Sequence, residues 1–100
     1  MQATVAVTEG RAEISLQGRF DFNSHRDFRE AVDTALASPG SAITVNLAGV
    51  EYLDSSALGM LLMLRDRAKG AAREVALTGC RNAVKQILDI ANFGKLFSMD

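Results

Sequence analysis

Two adjacent serines follow an aspartate in the stretch EYLDSSALGMLLML, residues Glu51–Leu64. A serine hydroxyl beside a base is a nucleophile, and a serine reached by a kinase is a phosphoacceptor. Serine and aspartate are also the residue types that cap helices, and Asp54, Ser55 and Ser56 offer three caps in succession. At least one hydroxyl is therefore spare. At a helix N-terminus the unpaired N–H groups and the dipole favour a phosphorylated serine, while Asp54 and Glu51 oppose it. The residues alone leave the cap and the modification site both open.

Other candidate chemistry is thinner. His25, the single histidine, falls in a predicted first helical turn beside polar residues and reads as a surface group. A serine–histidine pair with Asp21 lacks the Gly-x-Ser-x-Gly turn that exposes a nucleophile. Cys80, the single cysteine, has one distant histidine and no metal-ligand set around it, and it excludes an internal disulfide. No phosphate-cradling loop or dinucleotide fingerprint is present. Asp21 reads equally as a turn residue or a functional one. No cofactor is implied.

The elements that must position these residues follow from periodicity. Val5 and Val7 alternate with polar neighbours, Glu9-Gly10 supplies a turn, and Ala12, Ile14 and Leu16 resume the period of two. Gly18 is expected to break the second strand. Asn23 or Ser24 can cap a helix from about Arg26 to Ala37, with Phe28, Ala31, Val32, Ala35 and Leu36 as its apolar stripe. Ile43, Val45 and Leu47 form a strand, and Gly49 bends the chain before Val50, Tyr52 and Leu53. A second helix runs from Ser55 or Ser56 to about Lys69, closed by Gly70. Val75–Leu77 is a strand, Arg81–Ala91 a third helix, and Leu96, Phe97 and Met99 a short last strand. A hairpin followed by alternating strands and helices implies an α/β sandwich with right-handed crossovers and one solvated sheet face.

On the second helix, Ala57, Leu61, Leu64 and Ala68 make the core face. Ser56, Met60, Met63 and Arg67 lie to one side with Gly59, on a face the core stripe does not require. Methionine suits both core filling and adaptable binding surfaces, so the stripe either packs under a neighbouring helix or rims a contact patch.

The 100 residues make one domain, and 48% hydrophobic content places the chain among globular proteins. A net charge of −1 argues against a nucleic-acid-binding surface. Arg65, Arg67, Lys69 and Arg73 read mainly as a solvated helix end. The apolar run Ala57–Leu64 is far short of the roughly 20 residues of a membrane helix, and the alternating N-terminus is unlike a secretory signal. A cytoplasmic protein without membrane insertion is expected.

The run Leu53-Asp54-Ser55-Ser56-Ala57-Leu58-Gly59 resembles the signature of bacterial STAS domains of the anti-sigma factor antagonist family, usually Asp-Ser-Ser/Thr-Gly-Leu-Gly. Gly18-Arg19-Phe20-Asp21 resembles the family's Gly-x-x-Asp, and the likeness extends across nearly the whole chain. It implies a mixed sheet of four to five strands with helices mainly on one face. It also implies that a partner anti-sigma factor, often itself a serine kinase, is bound by the unmodified protein and released on phosphorylation. A metal-dependent serine phosphatase then resets the cycle. By position Ser56 is the first-choice phosphoacceptor and Ser55 the alternative. Asp21, Asp54, Ser55, Ala57, Gly59, Met60, Met63 and Arg67 are the expected partner-binding residues. Ala57 replaces the usual glycine, and its methyl group is expected to narrow partner or kinase choice. The protein is expected to be a monomer when free and not an enzyme. The competing expectation is a constitutive STAS subunit of a lipid-transport ATPase complex, with the serines as caps.

Overall fold

A computed structural model describes residues 1–99. Strands β1 (Gln2–Thr8) and β2 (Arg11–Phe20) form the expected antiparallel hairpin. Parallel strands β3 (Ala42–Leu53), β4 (Glu74–Thr78) and β5 (Ser98–Met99) follow, giving one mixed sheet in the order β1-β2-β3-β4-β5. Helices α1 (His25–Ala37), α2 (Ser55–Gly70) and α3 (Asn82–Ile90) make the three crossovers between the parallel strands.

Alternation settles which sheet face is covered. Ala12, Ile14 and Leu16 of β2, Ile43, Val45 and Leu47 of β3 and Leu77 of β4 are buried, and Phe28, Val32, Leu61 and Leu64 from α1 and α2 belong to the same cluster. Each fully buried side chain of this size contributes roughly 1.5–3 kcal/mol, so this face dominates stability. The intervening residues Glu13, Ser15 and Asn46 stay partly exposed. Phe20, the last residue of β2, packs against Phe28 of α1 with ring centroids 5.0 Å apart, which fixes the end of β2 beneath the helices.

Local details depart from the periodicity. Gly18 does not break β2; at φ +99 it carries the strand through a register irregularity against β3. Gly49 likewise leaves β3 continuous to Leu53, and a Cβ there would lie 2.8 Å from the Leu16 carbonyl oxygen, so the close approach of β2 at the bulge requires glycine. Gly70 does not close α2 but is its last helical residue. The left-handed residue is Ala72 at φ +59, where Ala72 N–H donates to Lys69 O (3.1 Å) and Arg73 N–H to Ala68 O (2.8 Å). This is a Schellman end with alanine in the position glycine favours. The last strand starts later than expected: Phe93–Lys95 form a 3-10 turn, Phe97 is buried, and Leu96 is left exposed.

Candidate functional site

Two strand-to-helix junctions lie side by side at the carboxyl ends of β2 and β3. Phe20 and Leu53 are register partners, and the residue after each is an aspartate. Asp21 caps the 3-10 turn Phe22–Ser24 that leads into α1: its Oδ1 accepts from Asn23 N–H at 3.0 Å, while Asp21 N–H donates to Ser24 Oγ at 3.1 Å. Ser24 does not cap α1; its buried hydroxyl donates to Arg19 O at 2.9 Å. Asp54 caps α2, its Oδ1 accepting from Ala57 N–H at 3.1 Å. Asp54 N–H donates to Phe20 O at 3.3 Å, tying the two junctions together.

The aspartate caps α2, so the serines do not. Ser55 is exposed and Ser56 half-buried, and neither hydroxyl bonds another described residue. They occupy the first two helical positions, whose N–H groups have no intrahelical acceptor. A negative group on either side chain meets those N–H groups and the positive helix end, opposed by the carboxylates of the capping Asp54 and of exposed Glu51. Among the described residues no base contacts either hydroxyl, and no group of three His, Cys, Asp or Glu is placed to hold a metal.

Below the serines the outward surface of α2 differs from the expected stripe. Met60 is buried at 4% exposure and Ala57 completely, so both are core residues. The methyl of Ala57 fills the interior and does not narrow the surface. Arg67 is tied to α1 through an ion pair from Nη1 to Asp33 Oδ1 at 2.8 Å. The Ser56–Met60–Met63–Arg67 side thus turns towards α1, which periodicity within one helix has no means of locating. Met63 stays half-exposed, as do Leu58 and Leu62 on the other flank, while Ser55 and Gly59 are fully outward. A Cβ at Gly59 would meet nothing within 4 Å, so packing does not demand glycine there.

The basic group is not a free patch either. Arg73 donates to Ala35 O at 2.7 Å and also to Ser38 O at the end of α1, and Arg65 Nε donates to Leu96 O at 3.0 Å. These arginines hold elements together. Two features escaped the sequence reading altogether. Phe22, the first residue of the 3-10 turn, is 75% exposed, and the Arg19 guanidinium lies 4.3 Å above the Tyr52 ring. Phe22 belongs to no periodic pattern, and Arg19 meets Tyr52 only through the β2–β3 register.

A mixed five-stranded sheet with the Asp-Ser-Ser junction at the start of α2 matches a known family. The family model described as "Mlab, STAS domain" covers residues 3–98. The chain belongs to the STAS-domain family. A STAS-domain containing protein of Pseudomonas aeruginosa (strain UCBPP-PA14) is 48% identical over 86 residues, 86% of this chain and 84% of that protein. Among solved structures, an anti-sigma factor antagonist from Mycobacterium paratuberculosis superposes with a TM-score of 0.86 at 18% identity, covering 98% of this STAS chain and 83% of that one. The anti-sigma factor antagonist SpoIIAA in its unphosphorylated form gives 0.74 at 21% identity, over 98% of this chain and 86% of that one. The phosphorylated form of SpoIIAA, from Bacillus, gives 0.73 at 19% identity, over 98% and 90%. At these identities the solved structures establish the shared fold.

Proposed function

We propose that this STAS domain is a phosphorylation-switched anti-sigma factor antagonist. Unmodified, it docks an anti-sigma factor with serine kinase activity on the surface made by Ser55, Ser56, Gly59, Leu62 and Met63. Phosphorylation of Ser56, with Ser55 as the alternative acceptor, adds about −1.5 to −2 charges to a surface whose own docking side chains are uncharged and releases the partner. A metal-dependent serine phosphatase restores binding, and the cycle runs in the cytoplasm. The observation that carries the reading is that Asp54 takes the cap and leaves both hydroxyls without a structural task. Solved phosphorylated and unphosphorylated relatives of the same fold support it.

The test is titration of the purified kinase-type anti-sigma factor with wild type, Ser55→Asp, Ser56→Asp and the two alanine variants, paired with phosphopeptide mapping. Ser56→Asp is expected to lose the partner and Ser56→Ala to bind constitutively. Wild-type affinity in both aspartate variants, with no phosphopeptide after kinase treatment, sinks the reading. The alternative, a constitutive subunit of a lipid-transport ATPase, gives the serines capping work that Asp54 already does. Co-purification with an ATPase and an intact mass free of phosphate would favour it.

A further inference from the structure

Phe22 carries an observation that the serine switch does not use. Phe22 and Ile90 are by far the most exposed of the large apolar side chains, at 75% and 82%. Ile90 ends α3, whereas Phe22 opens the 3-10 turn that packs beside α2, one residue after the Asp21 cap.

The turn does not need a phenylalanine. Its backbone is held by Asp21 and Ser24, whose side chains each accept an N–H, and its buried member is Ser24. Phe22 takes part in no ring pair or cation–π contact with another described residue, in contrast to Phe20 with Phe28, Phe93 with Phe97 and Tyr52 with Arg19. The fold therefore spends a large apolar ring on solvent at a rigid point. Such a ring has two side-chain torsions to freeze on binding, and its base is fixed beforehand by the capping bonds, so little freedom is lost when it is buried. Aromatic residues are enriched at protein interfaces, and binding energy concentrates in a few anchors that fill pockets.

We infer that Phe22 is the aromatic anchor of the docking surface, inserting into an apolar pocket of the kinase-type partner beside the groups that read Ser55 and Ser56. This rests on the proposed function and deepens it. The serines set whether the complex forms, and Phe22 supplies affinity and partner choice from an element outside α2. The partner it fits presents an uncharged, ring-sized pocket adjoining a flat face that lies against Gly59 and Leu62. Close to the same junction, Arg19 is held by the Tyr52 ring and by Asp21 Oδ2 at 3.6 Å, so the rim around the anchor is polar.

The experiment titrates the purified kinase-type anti-sigma factor with Phe22→Ala, Phe22→Leu, Ile90→Ala and Gly59→Arg, and records a thermal melt of each variant alone. Phe22→Ala is expected to raise Kd by at least about tenfold with a nearly unchanged melt, because its ring is three-quarters exposed and pairs with no other ring or cation among the described residues. Phe22→Leu recovers part of that loss, and Ile90→Ala leaves Kd unchanged. Wild-type affinity in Phe22→Ala while Gly59→Arg abolishes binding overturns the anchor and leaves the α2 surface standing. An equal loss from Ile90→Ala also overturns it, since exposure alone would then explain the effect. If Gly59→Arg and the serine-to-aspartate variants bind as wild type, the docking reading falls and the anchor falls with it.

Discussion

Asp54 and the two serines after it show how one hydrogen bond divides labour among three residues able to make it. The bond from Ala57 N–H to Asp54 Oδ1 makes Asp54 the cap. Asp54→Ala is therefore expected to cost about 1 kcal/mol, within the 0.5–2 range of lost caps, read as a lower denaturation midpoint in urea. Asp54→Asn should keep most of that stability, because its amide oxygen accepts the same N–H. Ser55→Ala and Ser56→Ala are expected to stay within about 0.5 kcal/mol of wild type in the same titration. A loss from either serine comparable to that of Asp54→Ala would return it to capping duty. The sequence made all three residues candidates; it had no way to rank them, since the choice depends on the β-region backbone at Asp54, φ −118 and ψ −175.

At the scale of the element, α2 carries the clearest conflict between local stability and surface. Glycine in a helix interior costs roughly 0.5–1 kcal/mol relative to alanine, and Gly59 faces open space. Gly59→Ala is expected to raise stability by about that amount while weakening partner binding, a split visible by comparing a melt with a titration. A gain in stability with unchanged affinity would remove Gly59 from the docking surface. The helix end gives a separate test. Ala72 sits in left-handed backbone, which costs an L-residue about 1–2 kcal/mol, so Ala72→Gly is expected to stabilise by about 0.5–1 kcal/mol once the looser unfolded chain is counted. The sequence placed the helix and its core stripe well, since Ala57, Leu61, Leu64 and Ala68 are all fully buried. It left Met60 open between core and contact surface because periodicity records faces relative to one axis. Which flank is covered depends on where α1 lies, and the Arg67–Asp33 pair marks that side.

For the whole molecule, the proposed phosphorylation switch is expected to leave the fold unchanged. The phosphorylated and unphosphorylated SpoIIAA structures resemble this chain to nearly the same degree, with TM-scores of 0.73 and 0.74. The junction carrying the serines lies on a core of packed apolar side chains that is not continuously deformable. Phosphorylation is thus expected to perturb amide resonances around Asp21–Ser24 and Asp54–Gly59 while leaving those of β3 and β4 in place. Widespread shifts through Ile43–Leu47 would show that the sheet itself responds. The core is the opposite case: Leu61→Ala, at a fully buried position, is expected to cost 2–5 kcal/mol, about the range for such truncations, and to lower the melting temperature sharply.

The sequence by itself determined the order of strands and helices, the covered sheet face and the Asp-Ser-Ser junction, because these depend on near neighbours and on alternation along the chain. Tertiary structure decided what those neighbours leave open. It gave the cap to Asp54, buried Met60 and Ala57, and tied Arg65, Arg67 and Arg73 to distant elements. It also left Phe22 in solvent, on the turn that packs beside α2. The burial of Met60 and Ala57 and the arginine contacts turn on groups far away in sequence, and a local pattern does not encode which distant surface will arrive to cover it.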